Sequence, residues 1–334
     1  MTTSSWLARH DKAKVVIFRA LQLGDMLCAV PALRALRAAM PGSRISLVSL
    51  PWADQFARRF SAYIDEFIPF PGHQAFPEQP ARLDQLHEFY AGMRARRFDL
   101  ALQMHGNGQY SNAVVRAFGA RAMGGFGAAP GGGDDCLIPF PDTGAEPLRL
   151  LELATGLGAP ARGPQLEFPI TAEDERELEG SGVARGLAPG SYVCIHPGAR
   201  SADKCWPAAK FAAVADQLAI RPRLTTVLTG SPAEATLTAA VARLMRRAPV
   251  DAAGPLSIGA MAALMSRARL LICNDTGVSH IAAGLRLRSV VIFSKADIRR
   301  WAPLDQRLHR CLWDPFGEQA KTVLDQARAL SKLR

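Results

Sequence analysis

Short β-branched runs alternate with stretches whose apolar residues recur every three or four positions, and the rhythm continues along the chain. In the first half, residues 14–18 (KVVIF) predict a strand, and residues 25–40 predict an amphipathic helix halted by Pro41-Gly42. The runs 44–50, 64–70 and 98–104 continue the strand series, with helical sequence between them. The second half does the same at 192–196, 224–230, 269–275 and 289–293. Strands alternating with helices predict parallel sheets covered on both faces. Residues 127–147 are rich in Gly, Pro and Asp, and 159–169 have weak periodicity. The acidic run 171–180 (TAEDERELEG) predicts a helix with negative charge in its first turn. The domain junction is therefore expected near 165–185, dividing the chain into 1–170 and 171–314. A last amphipathic helix (315–334, with Val323, Leu324, Ala327 and Leu330 on one face) is expected to pack back on the N-terminal domain.

The length of 334 residues fits two domains, and 49% hydrophobic with 21% charged residues is a globular composition. No apolar run approaches the ~18–20 residues needed to span a bilayer. The first residues, MTTSSWLARHDKAK, contain no apolar core, so no secretory signal is expected and the chain is assigned to the cytoplasm. The six cysteines form no CxxC pair, which disfavours a zinc site; Cys28, Cys194 and Cys273 lie in apolar stretches and read as core residues. Charge is uneven. Residues 1–170 carry 17 Lys and Arg against 15 Asp and Glu, whereas 171–334 carry 23 against 15. That surplus suits an anionic ligand or a membrane face. Nucleic acid is disfavoured by the 7% aromatic content and the lack of a recognised motif.

Four polar constellations follow predicted strands, where ligands of doubly wound sheets bind. The first is Gly24-Asp25: glycine for an unusual backbone angle, then a carboxylate opening a helix, either as its cap or as a general base. No GxGxxG dinucleotide fingerprint is present. The second runs from His196-Pro197-Gly198 through Arg200, Ser201 and Lys204 to Trp206-Pro207. Its two cations are placed to neutralise a departing diphosphate. The third, Thr229-Gly230-Ser231-Pro232-Ala233-Glu234, is expected to put a carboxylate one turn into a helix, suited to the dipole or to paired ribose hydroxyls. The fourth is Asn274-Asp275-Thr276-Gly277-Val278, followed by His280; backbone N–H groups at that helix start make a phosphate cradle.

These segments together resemble the family 9 glycosyltransferases, which include the lipopolysaccharide heptosyltransferases. LGDMLCAVPALRALRAAMPGSRI looks like the family's N-terminal signature and HPGARSADKCWP like its central loop. TGSPAE, CNDTGVSHIAAGL and VIFSKADIRRWAP resemble its later elements in the correct order. Two segments depart from the pattern. Gln103-Met104-His105-Gly106-Asn107-Gly108 stands where many members have D-x-Q-G, and Phe293-Ser294-Lys295 stands for the familiar F-G-P.

The resemblance implies a GT-B fold: two Rossmann-like, doubly wound α/β domains facing a central cleft, with the acceptor on the first and a nucleotide-sugar donor on the second. It implies inversion of configuration without a metal, and no cofactor, the nucleoside-diphosphate sugar being a substrate. Asp25 matches the general base and Lys204 the lysine near the donor diphosphate. Arg200, Ser201, Glu234, Asp275, Thr276, Gly277, Val278 and His280 complete the expected donor site. Gly24, His105, Asn107, Arg58 and Arg116 are the acceptor-side candidates, His105 having a buried structural role as its other reading. The expected reaction transfers a sugar such as a heptose to a glycan or glycolipid, an anionic one if arginines of the first half line the site. Peripheral contact with the inner face of the cytoplasmic membrane would follow from the same arginines. A GT-B nucleotide-sugar epimerase and a catalytically silent nucleotide- or glycan-binding protein are the alternatives.

Overall fold

The structure, a computed structural model, describes residues 6–127, 134–220, 223–254 and 256–332. Part of the Gly- and Pro-rich interval expected at 127–147, residues 128–133, lies outside the described residues, as do 1–5 and 333–334. The chain divides into two compact units between Leu166 and Glu167.

The first unit begins with β1 (Lys14–Phe18), α1 (Leu23–Cys28), α2 (Val30–Ala39) and β2 (Arg44–Ser49). It continues through α3 (Asp54–Arg59), β3 (Glu66–Pro69), α4 (Leu83–Ala95) and β4 (Leu100–Gln103). It closes with α5 (Ser111–Arg116), β5 (Ala122–Phe126), β6 (Cys136–Ile138) and α6 (Glu146–Gly156). All strands are parallel, in the order β3-β2-β1-β4-β5-β6. A cluster around Phe18, Phe70, Phe76 and Phe118 fills one face of this sheet.

The second unit opens with α7 (Ala172–Ser181), β7 (Tyr192–His196), α8 (Ala208–Ile220) and β8 (Thr225–Thr229). Next come α9 (Ala235–Leu244), β9 (Val250–Ala252), α10 (Ile258–Ser266) and β10 (Leu270–Asn274). The chain ends through α11 (Gly277–Gly284), β11 (Ser289–Phe293), α12 (Ile298–Trp301), β12 (His309–Trp313) and α13 (Ala320–Lys332). Its parallel order is β12-β11-β10-β7-β8-β9. Thr171 caps α7 in a reciprocal box with Asp174, which explains why the acidic run starts a helix there.

Two expectations need correction. The helix expected over 25–40 is two helices, because Pro31 cannot donate to the carbonyl of Leu27 and its ring crowds that turn. Pro31 instead sits in the first turn of α2, where no donor is required. The last helix, expected to pack back on the N-terminal domain, belongs to the second unit and packs in its core. Val323, Ala327 and Leu330 of α13 are fully buried in the second unit's core with Phe211, Leu218 and Ile272. Apolar residues at that spacing form one stripe, and α8 together with β10 and β11 supplies the surface that covers it.

Candidate functional site

In each sheet the strand order reverses between two neighbours, β1 and β4 in the first unit and β7 and β10 in the second. Connections leave in opposite directions there, opening a crevice at the carboxyl ends of the strands. The polar residues singled out from the sequence largely follow these four strand ends.

In the first unit, Arg19 follows β1 and is 1% exposed. Its Nη1 donates to the Met104 carbonyl, while Nε and Nη2 donate to the Asp25 carbonyl at 3.1 and 2.8 Å. Its charge is met by Glu146 Oε1 at 3.3 Å. The guanidinium thus ties the end of β4 to the first turn of α1. Gln22 rather than Asp25 occupies the cap position, so Asp25 lies within the first turn, half-buried, and Gly24 sits in helical conformation. Neither the capping role nor the special glycine angle expected from sequence is used.

His105 is buried, with its ring 5.3 Å from Phe18 and 4.5 Å from Phe76. Its Nδ1 accepts from the Ala20 N–H at 3.2 Å, which leaves the proton of the neutral ring on Nε2. Burial, with the Arg19 charge nearby, lowers its pKa to about 3. Asn107 is exposed and closes a turn by accepting from the Gln109 N–H. Arg58 and Arg116 lie elsewhere. Arg58 pairs with Asp54 on α3, and Arg116 pairs with Asp135, whose other oxygen accepts from Met123 at the start of β5. Arg116 is therefore at the opposite end of the strands from Asp25.

In the second unit, β7 and β10 are paired through Cys273 and His196. Asn274, fully buried, fixes the loop between β7 and α8 at both ends: its Oδ1 accepts from the Trp206 N–H at 2.9 Å and its Nδ2 donates to the Pro197 carbonyl at 2.7 Å. That loop carries Lys204, whose Nζ lies 3.2 Å from Asp275 Oδ2. Burial raises the Asp275 pKa, with Lys204 opposing it. Thr276 precedes α11 in extended conformation, so the first-turn N–H groups of Gly277 and Val278 face outward along the helix axis. His280 is buried one turn further, edge-on to Trp301.

Glu234 lies at the end of a 3-10 turn rather than within a helix. Its Oε2 accepts from the Ser231 N–H and hydroxyl at 2.7 and 2.8 Å, and its Oε1 is 3.8 Å from His196 Nε2. A Cβ on Gly198 would come within 1.8 Å of Oε1, so the carboxylate occupies the space a side chain would take. Burial lowers the His196 pKa, Glu234 opposing it. Arg200 and Ser201 are exposed, and Ser201 Oγ donates to Asp203 at 2.6 Å. Among the described residues, no three His, Cys, Asp or Glu side chains are grouped to hold a metal ion.

Sequence reasoning missed Arg19, Glu146 and the double role of Asn274. The only available signal for the first was an arginine directly after an apolar strand and before Gly-Asp.

Two doubly wound parallel sheets in tandem define the GT-B fold. Residues 146–329, more than half of the chain, match the profile described as glycosyltransferase family 9 (heptosyltransferase), and the chain belongs to this family. It is 36% identical over 131 residues to lipopolysaccharide heptosyltransferase 3 of Escherichia coli; the match covers 38% of this chain and 37% of that one. The chain thus matches little more than a third of that relative's length. The glycosyl transferase family 9 structure from Veillonella parvula shares the fold at TM-score 0.78 and 22% identity, covering 96% of this chain and 98% of that one. The E. coli ADP-heptose lps heptosyltransferase II follows at TM-score 0.74 and 18% identity, with 95% and 98% covered. No helix among the described residues is long and apolar enough to cross a membrane.

Proposed function

We propose that this protein is an inverting, metal-independent glycosyltransferase that moves a heptose from a nucleoside diphosphate to a glycolipid such as lipopolysaccharide core. The observation that carries this reading is the Lys204–Asp275 pair at the reversal point of the second sheet, beside the start of α11. A cation and helix-start N–H groups converging on one strand edge suit a diphosphate. Glu234 Oε1, not used in the Ser231 cap, is the acceptor for ribose hydroxyls. One solved relative is named for ADP-heptose, which makes that the first donor to test.

In this mechanism Asp25 takes the proton from the acceptor hydroxyl as the oxygen attacks the anomeric carbon. The bond to the diphosphate breaks on the opposite face, giving inversion, and Lys204 neutralises the charge on the departing oxygen. Removal of one such electrostatic contact costs about 2.7–4 kcal/mol in the transition state. The buried Arg19 holds the Asp25 backbone and so positions the base without touching substrate. The protein acts in the cytoplasm, with anionic acceptors presented at the inner membrane face. Mass spectrometry of reactions with a panel of nucleotide sugars and an acceptor tests this. Acceptor-dependent release of ADP and a product heavier by one heptose is expected; a donor whose sugar is epimerised without acceptor would identify an epimerase instead.

A further inference from the structure

The segment after β11 departs from the family pattern at Ser294 and Lys295, and both residues reach the loop that carries Lys204. Ser294 Oγ donates to the Lys204 carbonyl at 3.4 Å, and Lys295 Nζ forms an ion pair with Asp203 Oδ2. Asp203 and Lys204 are consecutive, so two carboxylate–lysine couples flank one loop: Asp203 with Lys295, and Asp275 with Lys204. The couples differ in burial. Lys204 and Asp275 are 32% and 11% exposed, whereas Lys295 and Asp203 are both 54% exposed.

A half-exposed ion pair contributes little net free energy and exchanges partners readily. An ammonium has three donors, and Asp203 satisfies one of them. Asp203 already has a second partner in Ser201 Oγ, so it keeps a hydrogen bond when Lys295 departs. The loop itself is held independently by Asn274 at both ends, so the outer pair is not needed to fix it.

We infer that Lys295 is a second ligand for the donor diphosphate, a specificity feature of this chain, with Asp203 as its counter-ion until the nucleotide arrives. The inference rests on the reading that the Lys204 loop is the diphosphate site. Binding would exchange the Asp203 contact for phosphate oxygens, and the freed Asp203 would turn its charge to Ser201 and solvent. In this arrangement Asp203 opposes donor binding twice, by competing for Lys295 and by repelling phosphate.

Calorimetric titration of the full chain with ADP at low ionic strength tests this through the sign of two effects. Lys295→Ala is expected to weaken ADP about tenfold, the worth of a hydrogen bond to a charged group. Asp203→Asn is expected to tighten ADP about two- to fivefold, since it removes a weak surface competitor. The double variant should bind more tightly than Lys295→Ala alone, but by a smaller factor than Asp203→Asn gains over the parent, because only the phosphate repulsion is left to remove. If the pair only fastened the loop, both single variants would weaken binding, and that result overturns the inference. Lys204→Ala separates the two levels of the argument. Weak ADP binding by that variant with unchanged binding by Lys295→Ala overturns this inference alone. Unchanged binding by Lys204→Ala overturns the assignment of the loop as the diphosphate site. Adenosine, which lacks phosphates, should be bound equally by the parent and by Asp203→Asn; tighter adenosine binding in the variant would also refute the charge argument.

Discussion

His105 is the clearest place to test whether the first unit's strand edge is built as described. The ring accepts from the Ala20 N–H through Nδ1, and protonation there would break that bond while placing a charge beside Arg19. Its pKa falls from 6.5 to about 3, burial being the larger cause. The sign follows from proton counting. Below pH 6.5 the unfolded chain binds a proton that the folded chain refuses, so stability is lost as pH falls towards 3. At pH 5 the protonated form of the unfolded histidine outnumbers the neutral form about thirtyfold while the folded one stays neutral, which amounts to about 2 kcal/mol. That figure does not depend on the exact folded value, because pH 5 lies well above it. His309, lowered to about 4, adds a similar loss in the second unit. His105→Asn keeps an oxygen that can accept from Ala20 but removes the ring packed on Phe18 and Phe76. It should be less stable at pH 7 by about 2 kcal/mol or more, as large-to-small core changes are. Its further loss between pH 7 and pH 5 should be smaller than the parent's by about 2 kcal/mol. Urea unfolding of both proteins at both pH values measures this. Equal losses in parent and variant would refute the buried, neutral histidine.

Asp25→Asn should slow turnover roughly 10²–10⁴-fold. Its melting temperature should hardly change, since loss of a first-turn charge costs only about 0.5 kcal/mol and Gln22 occupies the cap. Gly198→Ala should displace the Glu234 carboxylate and weaken adenosine binding in equilibrium titration, because the new Cβ would stand 1.8 Å from Oε1. Leu330→Ala should cost about 2–5 kcal/mol, read by calorimetry as a shift in the second unit's transition.

Much of the fold was legible because short continuous β-branched runs such as KVVIF and SVVIF, bounded by turn sequence, mark buried parallel strands, and both strands run as expected over Lys14–Phe18 and Ser289–Phe293. The strands at Ala122–Phe126, Cys136–Ile138, Val250–Ala252 and His309–Trp313 were not foreseen. Gly124 and Gly125 blur the first, yet they are needed there: a Cβ on Gly125 would lie 2.7 Å from the Gln103 side chain, and one on Gly124 would lie 2.8 Å from the Trp6 ring. The second and third span three residues, too few to show alternation, and β6, β9 and β12 are all edge strands, β9 and β12 with polar positions. The placement of the candidate residues was legible wherever a motif marks a strand end, as at Lys204, Glu234 and Asp275. It was not legible where a long-range contact builds the strand edge, because nothing local links Arg19 to Glu146 across 127 positions. The partners of the first-half arginines were hidden for the same reason. Composition shows that Arg58 and Arg116 are cationic, but only folding shows that Asp54 and Asp135 neutralise them.

That neutralisation bears on the division of labour between the units. At the reversal point of the first sheet the polar groups are a guanidinium fully engaged with carbonyls and Glu146, a neutral imidazole, and the Asp25 carboxylate. A diphosphate would gain no free cation from these groups and would meet a carboxylate, whereas a sugar hydroxyl would meet a group able to accept its proton. At the corresponding point of the second sheet, Lys204 pairs with Asp275 just before α11, and Lys295 pairs with Asp203 on the loop that carries Lys204. The same fold therefore presents opposite chemistry at its two crevices. The contrast supports the proposed placement of the anionic donor on the second unit and of the acceptor hydroxyl on the first, on electrostatic grounds that do not depend on family membership.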